Sequence, residues 1–247
     1  ALMVWGMRVG VEFAELFEDR QLSNDCKAAE KKLVKAASKV YKKFLASCPA
    51  PDAPGSKQVT ALMTITGLID APKADKEFLS INGAQGFSTF YGYYMLEAMA
   101  MAGNYQGALD VIREYWGAMI DLGATSFWED FDINWIPNAA PIDELVPEGK
   151  KDIHGDCGAY CYVGFRHSLC HGWASGPTSW LSRHILGVEV IEPGCRQVRI
   201  TPHLGDLQWV KGTFPTPYGE LQIYHEKQAN GNVISEVKAP KGVSVIK

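Results

Sequence analysis

From residue 1 to about residue 186, apolar side chains recur at i, i+3 and i+4, the spacing of helices that bury one face. This pattern predicts helices near 1–20, 24–47, 57–69, 88–102, 105–122 and 167–186. Breakers divide them: CPAPDAPGS at 48–56, Asp70-Ala71-Pro72 and Ala102-Gly103-Asn104. Ser23 and Ser56 stand where N-caps belong. Helices 88–102 and 105–122 are separated by only two residues and should pack antiparallel. The chain therefore reads as a series of helical hairpins.

The helical period is lost between residues 131 and 166, a stretch with three prolines, several acids and mixed aromatics. A loop this long in a compact domain is usually functional or disordered, and its tryptophan and tyrosines favour an ordered, functional one. After Leu186 the period becomes two. QVRITP, LQWVKGTF, GELQIYHEK and NVISEVKAP alternate apolar and polar residues between glycines and prolines. Asn230-Gly231 has the composition of a tight hairpin turn. The expected fold is mainly α plus β, with residues 1–187 helical and residues 188–247 a small antiparallel β-sandwich.

Composition narrows the functional classes. The 247 residues are 47% hydrophobic and 21% charged, with a net charge of −4, which suits a well-packed core. Basic residues concentrate only at helical spacing between Lys27 and Lys43, the pattern of a solvated helix face. Nucleic acid is therefore not an expected partner. No apolar run reaches the roughly 18 residues of a membrane span, so a membrane is not one either. The first twenty residues lack a basic leader and a small-residue cleavage site, and read as a helix already under way. The expectation is a chain that begins inside a domain, and its compartment is left open between periplasmic or secreted and cytoplasmic. Six cysteines are too few for a disulfide scaffold. Cys157, Cys161 and Cys170 cluster with His154, His167 and His171, but no C-x2-C knuckle is present. Buried cysteines under a loop are preferred to zinc, so no metal and no cofactor are expected.

GATSFWEDFD, residues 123–132, is the most informative segment. Gly123 stops a helix, and Phe127-Trp128 leads directly into Glu129, Asp130 and Asp132. A flat apolar ring beside a carboxylate suits a sugar site, the ring taking a pyranose C–H face and the acid moving a proton. An ordinary helix end with a polar loop reads the same way.

The order of helical hairpins, G-A-T-S-x-W-E, H-G-W-x-x-G-P and P-H-L-G-D-L, followed by a β tail, resembles the C-terminal half of bacterial α-L-rhamnosidases. That family consists of inverting glycoside hydrolases with an (α/α)6 barrel and a C-terminal β-sandwich. The resemblance covers almost the whole chain and is strongest over 87–218. It implies a partial (α/α)6 toroid, with Glu129 as general base and His171 contacting the sugar. The general acid would lie in an N-terminal half of the barrel that has no counterpart here. That half and a rhamnose-containing oligosaccharide or glycoside are the implied partners. Trp128 and Trp173 suit the pocket floor but equally suit a core, and His171 equally suits a helix cap. Asp132, beside Asp130, could orient the base or simply solvate the loop. Other six-hairpin sugar specificities, a non-catalytic carbohydrate-binding remnant, and an unrelated helical metal protein remain as alternatives.

Overall fold

The computed structural model describes residues 1–47, 55–142 and 168–246. The helical part contains α1 (Leu2–Leu16), α2 (Arg20–Ser47), α3 (Ser56–Ile65), α4 (Ala71–Ala74), α5 (Gly92–Met101), α6 (Tyr105–Asp121) and α7 (Gly176–Trp180). Both α4 and α7 run on into π-helical turns, Asp75–Leu79 and Leu181–Ile185. No helix among the described residues is long and apolar enough to cross a membrane.

Most of the expected helices are present, but their ends differ for local reasons. Asp70-Ala71-Pro72 was expected to break the chain, yet it starts α4. The Asp70 carboxylate accepts from the Lys73 N–H at 3.1 Å, and Pro72 occupies a first-turn position whose N–H needs no partner. Ser23 lies inside α2, its hydroxyl donating to Glu15 at 3.4 Å. Gly55, in the left-handed region, precedes Ser56 as the cap of α3. The helix expected over 167–186 is, from residue 168 onward, a short turn at Gly172–Ala174 followed by α7. Gly176 comes so close to α5 that a Cβ there would sit 2.6 Å from Tyr93 Cβ.

Helices α1 and α2 pack against each other, as do α3 with α5, α5 with α6 and α5 with α7. Arg8 joins the first three helices, donating to Glu30 at 2.6 Å and to the Thr66 carbonyl at 2.7 Å. The main core gathers Leu79, Met95, Leu96, Met99, Tyr115, Trp128 and Trp180. Lysines 27, 31, 32, 35 and 39 are exposed, as their spacing predicts. Helix α1 differs: only Val4 and Ala14 are buried, while Met3, Leu16 and Phe17 are 66%, 73% and 74% exposed. An apolar cleft of about 540 Å3 opens where the start of α1 meets α2 and α3.

The β part has two three-stranded sheets. One orders β1 (Val188–Val190), β2 (Gln197–Ile200) and β6 (Ser244–Ile246); the other orders β3 (Trp209–Thr216), β4 (Gly219–Lys227) and β5 (Val233–Lys238). Pairing is antiparallel except between β2 and β6, which run parallel, a departure from the all-antiparallel expectation. Asn230-Gly231 lies in a five-residue connection, closed by Gln228 N–H to the Asn232 carbonyl at 2.8 Å, rather than in a two-residue turn. Inward residues Val198, Ile200, Leu221 and Ile223 form a second core.

Polar and aromatic contacts fasten the two parts together. Tyr105 on α6 stacks on His203 at 3.7 Å with planes 5° apart, and Arg113 grips Asp206 through two bonds of 3.0 and 2.7 Å. Gly187, at φ 73°, is the joint: its carbonyl accepts from Thr201 N–H at 2.9 Å. A Cβ on Gly187 would meet the Thr201 carbonyl carbon at 2.3 Å.

Candidate active site

The apolar face of α6 holds Leu109, Tyr115, Trp116 and Met119 in the main core. The helix ends as its sequence dictates. Gly123, at φ 87°, donates to the Ile120 carbonyl, and Ala124 donates to Met119, both at 2.9 Å. This left-handed closure turns the chain across the helix end.

Two aromatic anchors then fix the acidic segment. Trp128 and Phe131 are buried, with ring centroids 5.9 Å apart, and Phe131 lies 5.2 Å from Tyr115. The Tyr115 hydroxyl donates to the Phe131 carbonyl, and burial pushes its ionisation well above the usual phenol range. Glu129 and Asp130, between the anchors, are partly exposed. The expectation that Trp128 floors a pocket is corrected: its side chain is 0% exposed and offers no ring face to a ligand. The ring does better packed in the core, where burying a large side chain contributes about 1.5–3 kcal/mol.

Glu129 is tied down through both its backbone and its carboxylate. Its N–H donates to the Ser168 carbonyl at 2.9 Å, and its Oε2 accepts from the Ser168 N–H at 2.8 Å. Its carbonyl accepts from Thr89 Oγ1 at 2.5 Å and from the Trp173 indole N–H at 2.7 Å. The next rung is the His171 N–H donating to the Phe127 carbonyl at 2.7 Å. Two segments far apart in sequence are thus laced together. Among the described residues, Glu129 Oε1 makes no hydrogen bond.

His171 and Trp173 join Glu129 on this ladder. Their rings lie 4.3 Å apart, and Trp173 is 46% exposed while its N–H is satisfied. His171 is partly buried, and its Nδ1 has no hydrogen-bond partner among the described residues. His171 does precede the Gly172–Ala174 turn, but its side chain makes no cap bond. Asp132 serves a local purpose: its Oδ1 accepts from the Asn134 N–H at 2.9 Å and the Asn134 side-chain amide at 2.8 Å, capping the Ile133–Asn138 turn.

Thr89, Ser168 and Phe90 also belong to this cluster, although no sequence motif marks them. Phe90 is 39% exposed and 5.5 Å from Trp173, and Tyr94 links it onward to Trp5. The dense aromatics of FSTFYGYY were the available signal, but helical spacing absorbed them. His154, Asp156, Cys157, Cys161 and His167 lie outside the described residues. Cys170, expected to be buried, is exposed beside Ser126. Among the described residues no cluster could hold a metal ion.

Residues 187–246 match the family model described as the bacterial alpha-L-rhamnosidase C-terminal domain. A search of curated proteins found no match. A GH78 family rhamnosidase of Bacillus sp. GL1 superposes with a TM-score of 0.71 at 22% identity, covering 98% of this chain and 25% of that one. The α-L-rhamnosidase of Aspergillus terreus gives 0.71 at 17% identity, covering 98% and 27%. The Streptomyces avermitilis α-L-rhamnosidase, complexed with L-rhamnose, gives 0.70 at 16% identity, covering 98% and 22%. The chain thus spans about a quarter of the length of the solved chains it matches. Its resemblance to their C-terminal part holds in fold over nearly all its length, with helices followed by a β module.

Proposed function

We propose that this chain is the base-bearing part of an α-L-rhamnosidase-like glycoside hydrolase that cleaves terminal α-L-rhamnosyl linkages with inversion. The observation that carries the reading is the fixing of Glu129. One carboxylate oxygen is held by Ser168, the other is unpaired among the described residues, and the half-exposed Trp173 is tied through its indole N–H to the Glu129 backbone carbonyl. Glu129 Oε1 takes a proton from a water whose oxygen bonds to the anomeric carbon. The glycosidic C–O bond breaks, and its oxygen receives a proton from a second carboxyl. In an inverting enzyme the two carboxyls stand about 6.5–9.5 Å apart, leaving room for the water. Trp173 supplies an apolar ring face for the sugar, and His171 a hydrogen bond to a hydroxyl.

The second carboxyl belongs, in this reading, to an N-terminal half of the barrel. The exposed apolar residues of α1 and the cleft among α1, α2 and α3 support such a neighbour, because monomeric proteins rarely leave contiguous apolar faces uncovered. Azide provides the test. In the assembled enzyme, Glu129→Ala removes the base, and added azide, which needs no deprotonation, should restore turnover and give the β-configured rhamnosyl azide. An α-configured azide, or no rescue at all, would overturn the assignment of Glu129.

A further inference from the structure

The outer face of the β3–β4–β5 sheet is built in rows. Strand register sets Lys211, Tyr224 and Glu236 side by side. Trp209, Glu226 and the half-exposed Ile234 form the row on one side of them, Thr213, Gln222 and Lys238 the row on the other. The intervening residues Val210, Phe214, Leu221, Ile223 and Val237 pack into the second core, so alternation turns the rows to solvent. Rows on one face recur about every 7 Å and strands about every 5 Å, which makes this a flat platform rather than a knob. A cleft of about 840 Å3 lies over it.

Three features of this face point to one kind of ligand. Trp209 is a large apolar ring on β3 that is 60% exposed among the described residues. Lys211 and Glu236 flank Tyr224, yet form no ion pair among the described residues. Among the described residues, the Trp209 indole N–H, the Gln222 amide and both lysine ammonium groups make no hydrogen bond, while the Tyr224 hydroxyl is aimed by Glu226 at 3.1 Å. The charges balance, two lysines against Glu226 and Glu236, which offers no net field to a polyanion. A ring face surrounded by donors and acceptors in neutral balance complements a pyranose, with its apolar C–H face and its ring of hydroxyls.

We propose that the β3–β4–β5 face is a second saccharide-binding site, which takes a neutral oligosaccharide with one sugar ring against Trp209. It shares no residue with the Glu129 site and does not depend on the reading given to Glu129. Its role would be to hold the chain on a polymeric substrate.

Affinity electrophoresis of the 247-residue chain tests this in native gels cast with a neutral, rhamnose-bearing arabinogalactan, with polygalacturonate, or with no polymer. Wild type should be retarded by the arabinogalactan, and Trp209→Ala should weaken that retardation at least tenfold in Kd. Lys211→Ala combined with Gln222→Ala should weaken it several-fold and decides the matter if Trp209→Ala fails to fold. Glu129→Gln should migrate as wild type does, which separates this face from the candidate active site. Equal retardation of wild type and both face variants, retardation by polygalacturonate alone, or no retardation of wild type would each overturn the proposal. So would a wild-type dimer that Trp209→Ala turns to monomer without any saccharide effect, because the face would then bind a second copy.

Discussion

The acidic segment at the end of α6 and the β3–β5 sheet both set a tryptophan beside a glutamate, and they treat the pair in opposite ways. In the sheet, Trp209 and Glu226 are cross-strand partners on one outward face, as strict alternation requires. In the segment, Trp128 and Glu129 are chain neighbours, yet the ring is buried and the carboxylate is partly exposed. The ring beside Glu129 comes instead from Trp173, through its indole N–H. A regular backbone lets sequence neighbours decide which face a side chain takes, whereas an irregular segment takes its orientation from anchors and from partners far along the chain. Adjacency to Glu129 in sequence therefore does not decide which ring is exposed near it.

Substitutions can break this contrast. The largest expected effect on stability is Trp128→Ala, which leaves a cavity beside Phe131 and should cost about 3–5 kcal/mol in urea unfolding. Trp173→Ala, at an exposed site, should cost about 1 kcal/mol from the lost hydrogen bond, while sugar affinity falls. If the two cost the same, the division between anchor and platform is wrong.

Next is Gly187→Ala at the joint between the parts. The positive φ and the clash with the Thr201 backbone should destabilise the fold by about 1–3 kcal/mol. Thermal melts that leave the helical signal unchanged but lower the β transition would show that the joint serves mainly the β module.

A smaller effect should follow pH. Burial lowers the ionisation of both His203 and His225. His225 fits the neutral ring, with Nε2–H donating to the Leu186 carbonyl at 3.1 Å and Nδ1 accepting from the Ser235 hydroxyl at 2.7 Å. A depressed folded value means that the unfolded chain takes up protons first. The stabilisation is therefore complete above the unfolded value of about 6.5 and is lost as pH falls through the folded values. The melting temperature should drop between pH 7 and pH 5, above the range in which carboxylates titrate. Replacing His225 by Gln should flatten the slope, and an unchanged slope would mean that His225 does not carry the linkage.

Much of the fold was legible because period alone encodes it: 3.6 for α1, α2, α3, α5 and α6, two for β2 to β5. Strands β1 and β6, of three residues each, are too short to show a period, and the parallel β2–β6 pairing joins residues that nothing local connects. The start of α4 was hidden because Asp-x-Pro can end one helix and cap the next. Glu129, His171 and Trp173 stood out through motifs, and the structure brings the three onto one set of backbone and indole hydrogen bonds. Thr89, Phe90 and Ser168 did not stand out, since each acts across a long sequence interval.

We propose Glu129 as a base that requires an acid from outside these residues. The most direct test of this reading is the release of nitrophenol from an aryl α-L-rhamnoside by this chain alone, by the chain supplied with an N-terminal barrel half, and by the Glu129→Gln form of that assembly. Acid–base assistance is worth about 10²–10⁴-fold, so the isolated chain should be slower than the assembly by at least that factor, and Glu129→Gln should abolish the gain. Robust hydrolysis by the isolated 247 residues, or an assembly that is indifferent to Glu129→Gln, would contradict the account.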